Sequence, residues 1–407
     1  MRRRLGALLA ALALCAGPSL AETDPLEPPD LAQYVRWGPL RARPAITFSN
    51  FGYDDNIFYR TGDAPKQGDY TARISPALKG LFLFGDRAFL TFDERLDYTA
   101  YLHFTSENYA EQRGSARLTI PFGRMGVYVD GMLNRTQERP VDVQDVRARK
   151  DEDKLGAGVI LNLGWRTDVE IGRTRSDITN SDPDFVTPPG GLTIEQLLDR
   201  VEDGGRLRAR YRIAGKTRLT LDAGRTTATF DDHTVVRDSE DRRVLPGVDF
   251  GEGGTLSGSV RYGYANLDSK SPDLSDYHGA VWDAKVAYHG TSRTTLQVGG
   301  KRQVAFAIYL GNQYYLNRTY DLRAIHYVNR VIGFEAGGSL GQLDFPDSLR
   351  HDRIEAWDMG VRVRLKENDL GRRLEYSFRY TDYRQDSNVD NFDQSRSSVG
   401  FGAIVGY

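Results

Sequence analysis

The sequence has almost no cysteine: Cys15 is the sole one in 407 residues. Once the N-terminal leader described below is removed, no thiol remains. Disulfides, Cys–metal sites and a cysteine nucleophile are then excluded. Histidine is scarce too, with only His103, His233, His278, His289, His326 and His351. None stands at metal-ligand spacing from another or in a Ser/His/Asp setting. The motifs HExxH and GxSxG are missing, so the sequence offers no catalytic set, no metal site and no cofactor site. A mean hydropathy of −0.51 excludes a helical membrane protein. It does not exclude a membrane β-barrel, in which half of each strand faces water. A surplus of one charge is also lacking. The formal net charge is −2, which argues against a general nucleic-acid binder.

What is abundant is glycine and tyrosine, 42 and 22 residues, against 16 prolines and 4 methionines. That balance favours strands and tight turns over helices. The N-terminus reads as a secretory signal peptide over residues 1–21. Arg2, Arg3 and Arg4 form the positive region, Leu5 to Ala16 the short apolar region, and Ser19-Leu20-Ala21 the cleavage site. The residue before Cys15 is Leu14, not the small residue a lipoprotein signal requires. Cleavage removes three arginines and leaves a more acidic chain.

From Arg43 onward the sequence alternates with period two. In Arg206-Leu207-Arg208-Ala209-Arg210-Tyr211-Arg212-Ile213 one face is Leu, Ala, Tyr, Ile and the other is four arginines. Leu155 to Leu163 and Leu374 to Tyr380 repeat the scheme. Such alternation suits a soluble sandwich or a membrane barrel equally well, and the connectors decide between them. About eighteen strands are expected, many long enough for a tilted membrane crossing. They begin near Pro44, Tyr70, Ala88, Tyr109, Met125, Lys154, Thr167, Gly205, Thr217, Asp241, Gly254, His278, Ser292, Tyr315, Val331, Arg353, Arg373 and Ser395. Short turns such as Gly85-Asp86, Trp165-Arg166 and Gly215-Lys216 alternate with long polar loops such as Asp54 to Asp69 and Ile178 to Gly204. Outer-membrane barrels sort their connectors in this way, with the short ones periplasmic. The stretch Asp238 to Phe250, with Pro246 inside it, has the weakest strand pattern.

Aromatic residues suggest two interfacial girdles. Phe82, Phe84, Phe89, Phe122, Trp165 and Tyr288 fall by the short turns. Tyr98, Tyr101, Tyr264, Phe306, Tyr314, Trp357 and Tyr380 fall toward the long loops. The last strand alternates Val399, Phe401, Ala403, Val405 and Tyr407 with Ser398, Gly400, Gly402, Ile404 and Gly406. This pattern resembles the signal that bacterial barrels present to the barrel-insertion machinery, and Phe401, Val405 and Tyr407 are its expected elements. Residues 22–42 carry four prolines and read as a periplasmic arm with at most one helical turn. Thr193-Ile194-Glu195-Gln196 reads as a helix start with a capping box, closed by Gly204-Gly205. Ile194, Leu197, Leu198 and Val201 then share a face of a short helix, either folded over the pore mouth or a loop ornament.

The polar strand faces carry the charges expected in the lumen. Arg95, Arg206, Arg208, Arg210, Arg212, Arg261, Arg362, Arg364 and Arg379 are the candidate polymer-binding cations. Asp93, Asp168, Glu170, Asp222, Glu335, Asp358 and Glu375 are among the acids on the same faces. A basic lumen concentrates anions, and arginine grips carboxylate or phosphate with two hydrogen bonds. The alternative is that these charges pair across strands and stiffen the wall. Four cations on one face of one strand, with only Asp222 in the next, favour the anion track.

At Gly52-Tyr53-Asp54-Asp55-Asn56-Ile57-Phe58-Tyr59-Arg60-Thr61 the chain resembles the putative β-barrel porin 2 family. The strand–turn cadence extends the resemblance over nearly the whole mature protein. The resemblance implies a link to exopolysaccharide export and supplies no catalytic residues. The expectation is an all-β, antiparallel, up-and-down outer-membrane barrel over residues 43–407, not an enzyme. Its expected role is a conduit for a secreted, acidic polysaccharide. Expected partners are outer-membrane lipids, the insertion machinery, a periplasmic polysaccharide-export protein and the polymer itself, with no nucleic acid. The alternatives are a general or anion-preferring diffusion porin, a structural barrel with a filled lumen, and an outer-membrane hydrolase.

Overall fold

The computed structural model describes residues 25–406 except 63, 139–147, 183–190, 234–235, 252–253, 292, 309–310 and 368–372. The expected signal peptide and Tyr407 lie outside the described residues. A short strand, β1 (Val35–Trp37), precedes eighteen long ones. These are β2 (Leu40–Asp54), β3 (Asp69–Leu83), β4 (Phe89–Tyr101), β5 (Tyr109–Phe122), β6 (Met125–Glu138) and β7 (Ala148–Asn162). Then come β8 (Thr167–Ser181), β9 (Arg200–Ala214), β10 (Thr217–Phe230), β11 (Ser239–Phe250), β12 (Leu256–Ser269) and β13 (Tyr277–Thr291). The last are β14 (Thr294–Phe306), β15 (Tyr314–Tyr327), β16 (Ile332–Phe345), β17 (Arg350–Glu367), β18 (Arg373–Ser387) and β19 (Gln394–Gly406).

Each of β2 to β19 pairs antiparallel with its sequence neighbours, and β19 pairs antiparallel with β2. The sheet is therefore a closed eighteen-stranded barrel, which leaves no edge among its long strands. At the seam, β19 ends opposite Ala45, and β1 continues the ladder along Leu40, Arg41 and Ala42. The connectors alternate as the sequence indicates. Short turns such as Gly215-Lys216 hold one rim, where Gly215 takes φ +50°. Long loops hold the other rim. The pleat sends alternate side chains to opposite sides. One cross-strand row, Ile171, Leu207, Ala223, Val244 and Tyr264, lies on the outer surface. Four of its members are exposed large apolar side chains, the surface that lipid covers in an outer-membrane barrel.

The stretch around Pro246 is a full strand, β11. Its ladder to β12 skips Leu245 and Pro246 and resumes in the same register at Gly247, because proline has no N–H to give. Gly263 stands opposite Leu245, and a Cβ there would lie 1.9 Å from the Val244 carbonyl oxygen. The helix α1 is Ile194–Leu198, with the Thr193/Gln196 capping box. It stops earlier than the Gly204-Gly205 pair suggests, because Arg200–Ala214 is already strand. Among the described residues the buried apolar clusters sit mainly within the long-loop mouth rather than between layers.

Candidate functional site: the barrel interior and its mouth

On β9, Leu207, Ala209, Tyr211 and Ile213 take the outer face, which turns Arg206, Arg208, Arg210 and Arg212 inward. The two neighbouring strands meet them with carboxylates. Arg206 Nη2 lies 2.6 Å from Glu170 Oε1, Arg208 Nε 2.6 Å from Asp222 Oδ1, and Arg210 Nε 2.6 Å from Asp168 Oδ1. Arg261 of β12 bridges Asp222 at 3.2 Å and Asp249 at 2.9 Å. The reading that Asp222 alone answers this ladder is thereby corrected. β8 supplies two more acids on the other side of β9. Arg212 stands opposite Arg218 in the ladder and makes no ion pair among the described residues.

A second cluster lies on β15 to β18. Glu335 accepts from Arg362 Nε at 2.7 Å and from Arg379 Nη2 at 2.7 Å, with Arg323 Nη1 at 3.3 Å. Asp358 accepts from Arg323 at 2.8 Å, and Arg379 Nε lies 3.8 Å from it. Glu375 takes Arg362 at 3.1 Å and Arg364 at 3.7 Å, while Arg364 also reaches the Tyr327 hydroxyl at 3.1 Å. Here four arginines face three carboxylates, where the first cluster, with Arg212, sets five against four. Arg95 is held by Asp97, with Nε 3.0 Å from both oxygens, and reaches the Ser75 hydroxyl. All nine candidate cations thus fall on the inward face. The wall-pairing alternative describes eight of them, and Arg212 is the exception. Buried pairs of this kind resist disruption because removing one partner strands the other charge.

The mouth is crossed by loops that sequence alternation does not reveal. β14 stays paired to β15 up to Phe306, but to β13 only up to Arg302. Beyond that point the β14–β15 hairpin leaves the wall and folds inward. Val304, Tyr314 and Leu316 pack on Ala265, Leu267, Tyr277 and Val281 of one inner wall. Ala307 and Tyr315 pack on Leu343, Phe345 and Ile354 of another. Tyr314 and Phe306 therefore belong to the mouth and not to an outer girdle. Tyr101 and Phe89 are likewise buried. Phe84, Phe122, Trp165, Tyr288, Tyr98, Tyr264 and Trp357 are exposed, as girdle residues should be.

The tip of that hairpin is tied to two other loops through Arg237, which is 3% exposed. Its Nη1 donates to Leu197 O of α1 at 2.8 Å. Its Nη2 donates to the carbonyls of Ala307, Asn312 and Gln313, and Gln313 Nε2 returns a bond to Arg237 O at 2.6 Å. Ile194 and Leu197 of α1 bury against Ile308 of the tip and Ala148 of β7. The helix therefore packs into the mouth against the inward hairpin. Its C-cap, Asp199, accepts from Asn180 N at 2.6 Å. Burial nonetheless pushes the Asp199 carboxyl above its ordinary value, helped by Asp231 and Glu195 nearby.

The Gly52–Thr61 motif runs from the end of β2 into the first long loop and crosses the seam. Asn56 is fully buried. Its Nδ2 donates to Ser395 O and Arg60 O, both at 3.0 Å, and its Oδ1 accepts from Arg60 N at 2.9 Å. Asp54 accepts from Asn56 N at 3.1 Å and from Arg396 Nε at 2.7 Å. Tyr59 lies under the Arg396 guanidinium and edge-on to Tyr383. At the opposite rim, Leu26 of the N-terminal arm buries against Tyr128 and Ile160 on the inner wall. The arm holds a single 3-10 turn, Leu31–Gln33. On β19, Phe401 and Val405 face outward. Asp268, Asp276 and His278 bring three possible metal-ligand atoms within 4.8 Å on the loop rim, where Asp276 already accepts from Ser269 N.

An eighteen-stranded closed barrel with alternating connectors, an apolar outer belt and a charged inner wall is the architecture of an outer-membrane porin. The chain belongs to the family described as Putative beta-barrel porin 2, which it matches over residues 32–406. No curated protein is significantly similar to it. Among solved structures, the barrel is similar to Pseudomonas aeruginosa OccK2 (OpdF), with 13% identity and a TM-score of 0.50 over 90% of this chain and 98% of that one. It is also similar to Acinetobacter baumannii OccAB4, with 12% identity and a TM-score of 0.48 over 93% and 100%. Pseudomonas aeruginosa OccK1 (OpdK) gives 11% identity and a TM-score of 0.47 over 90% and 99%.

Proposed function

We propose that the chain is a diffusion porin for small anionic solutes, constricted at its outer mouth by its own loops. The observation that carries this reading is the inner wall. Each of its two arginine clusters holds one cation more than its carboxylates can match. Unmatched guanidinium charge on a wall of low dielectric draws anions and repels cations. Single-channel recording in planar bilayers under a salt gradient tests it. The reversal potential should report anion preference. Arg212→Glu should move it toward cations, because reversing this unpaired arginine breaks no ion pair. A cation-preferring or non-conducting wild type sinks the reading.

Export of an acidic polysaccharide, the role implied by the family resemblance, requires a path wide enough for a continuous polymer. The loops tied at Arg237 stand across such a path, which favours small solutes. Deleting the gene should leave surface polysaccharide unchanged. Loss of the polymer would restore the export reading, together with its periplasmic partner. In either case the barrel conducts and does not transform its substrate, and its last strand serves as the element read by the insertion machinery.

A further inference from the structure

The outer wall carries a cationic line that the channel does not use. Arg173, Gly205, Arg225 and Arg242 are consecutive cross-strand neighbours on β8, β9, β10 and β11. All three arginines point outward and are largely exposed, at 82%, 66% and 56%. Arg225 and Arg242 stand directly opposite each other, and the Glu240 carboxylate bridges both from the loop side. The row contains no carboxylate. Asp203 and Glu240, one row nearer the loops, pair with these three arginines, and Arg175 is shared between Asp203 and Asp177.

The position of the line matters as much as its charge. The next row toward the short turns is the apolar one, Ile171, Leu207, Ala223, Val244 and Tyr264. The cations therefore border the upper edge of the lipid-facing belt, one row above the girdle residue Tyr264. Between Arg173 and Arg225 the wall is open. A Cβ placed on Gly205 meets nothing within 4 Å. A phosphate has room there between guanidinium groups, and its acyl chains would lie on the belt below.

We propose that this face of β8 to β11 is a docking site for a phosphorylated glycolipid of the outer leaflet, its phosphate held by Arg173, Arg225 and Arg242. Arginine matches phosphate with paired hydrogen bonds, and basic residues at a membrane surface attract anionic headgroups. Unlike the function proposed above, this site does not depend on what passes through the barrel.

The test titrates the full-length, detergent-solubilised protein with bisphosphorylated lipid A and follows binding by native mass spectrometry. The combined Arg173→Gln, Arg225→Gln and Arg242→Gln variant should bind about a hundredfold more weakly. Gly205→Glu keeps every arginine but sets a carboxylate among them, and should weaken binding comparably. It also supplies the result if the triple variant does not fold, with folding read from heat-modifiable gel migration. Dephosphorylated lipid A should bind the wild type no better than bisphosphorylated lipid A binds the variants. Equal binding of lipid A by the wild type and both variants overturns the proposal. Displacement of lipid A by an equal concentration of inorganic phosphate also overturns it, since the site would then take a free anion.

Discussion

Asn56 shows how much a single side chain can organise. Its amide satisfies two carbonyls and one N–H with no solvent contact, and one of those carbonyls belongs to the last strand. Asn56→Ala would strand these groups in a buried site, at a cost of about 2–4 kcal/mol. The midpoint of urea unfolding for the lipid-reconstituted barrel should fall accordingly, and an unchanged midpoint would show the bonds to be dispensable. The motif that carries the family resemblance is thus a seam fastener. The arginines were legible at the same scale, because Leu207, Ala209, Tyr211 and Ile213 fix which face they take. Their partners were harder to read. Asp168 and Glu170 are legible as lumen-facing acids, but only the register of β8 beside β9 pairs them with Arg210 and Arg206.

Among the elements, α1 and the inward hairpin explain what period two conceals. Ala305, Ala307 and Tyr315 on one face, and Val304, Phe306 and Tyr314 on the other, make both faces of the hairpin apolar. That loss of alternation is the signature of burial on both sides, and it was available in the sequence. Arg237 left no such trace, since its partners are mostly main-chain carbonyls from other loops. Removing the guanidinium in Arg237→Met should free the tip from α1 and raise the mean single-channel conductance. Unchanged conductance would mean that the apolar contacts of Ile194, Leu197 and Ile308 hold α1 alone. The helix should also respond to pH. Because burial raises the Asp199 pKa, its contribution to docking is fully present below the ordinary carboxylate value and is lost as pH rises through the raised one. Acidification should therefore lower conductance, and Asp199→Asn should remove that step.

At the scale of the whole molecule, eighteen strands were readable because each one meets two different solvents. The alternation of connector lengths then separated barrel from sandwich. The two faces can be tested directly, since Cys15 is the chain's sole cysteine and precedes the barrel. With Cys15 replaced, Arg208→Cys should react with a small membrane-impermeant thiol reagent in vesicles and Leu207→Cys should not. The opposite pattern would invert the faces assigned here.

The seam between β2 and β19 also sets the order of events in time. The bond from Asn56 to Ser395 spans 339 positions, and the Arg396–Asp54 pair spans 342. No fragment lacking the final strand can make either contact, and closing so long a loop is slow. Until the last strand is in place, β2 and whichever strand was added most recently present bare hydrogen-bonding edges that would pair with any passing chain. The protein is therefore most exposed to aggregation just before it is finished. The loop that fastens the seam is also the first to emerge, waiting through the rest of synthesis for its counterpart.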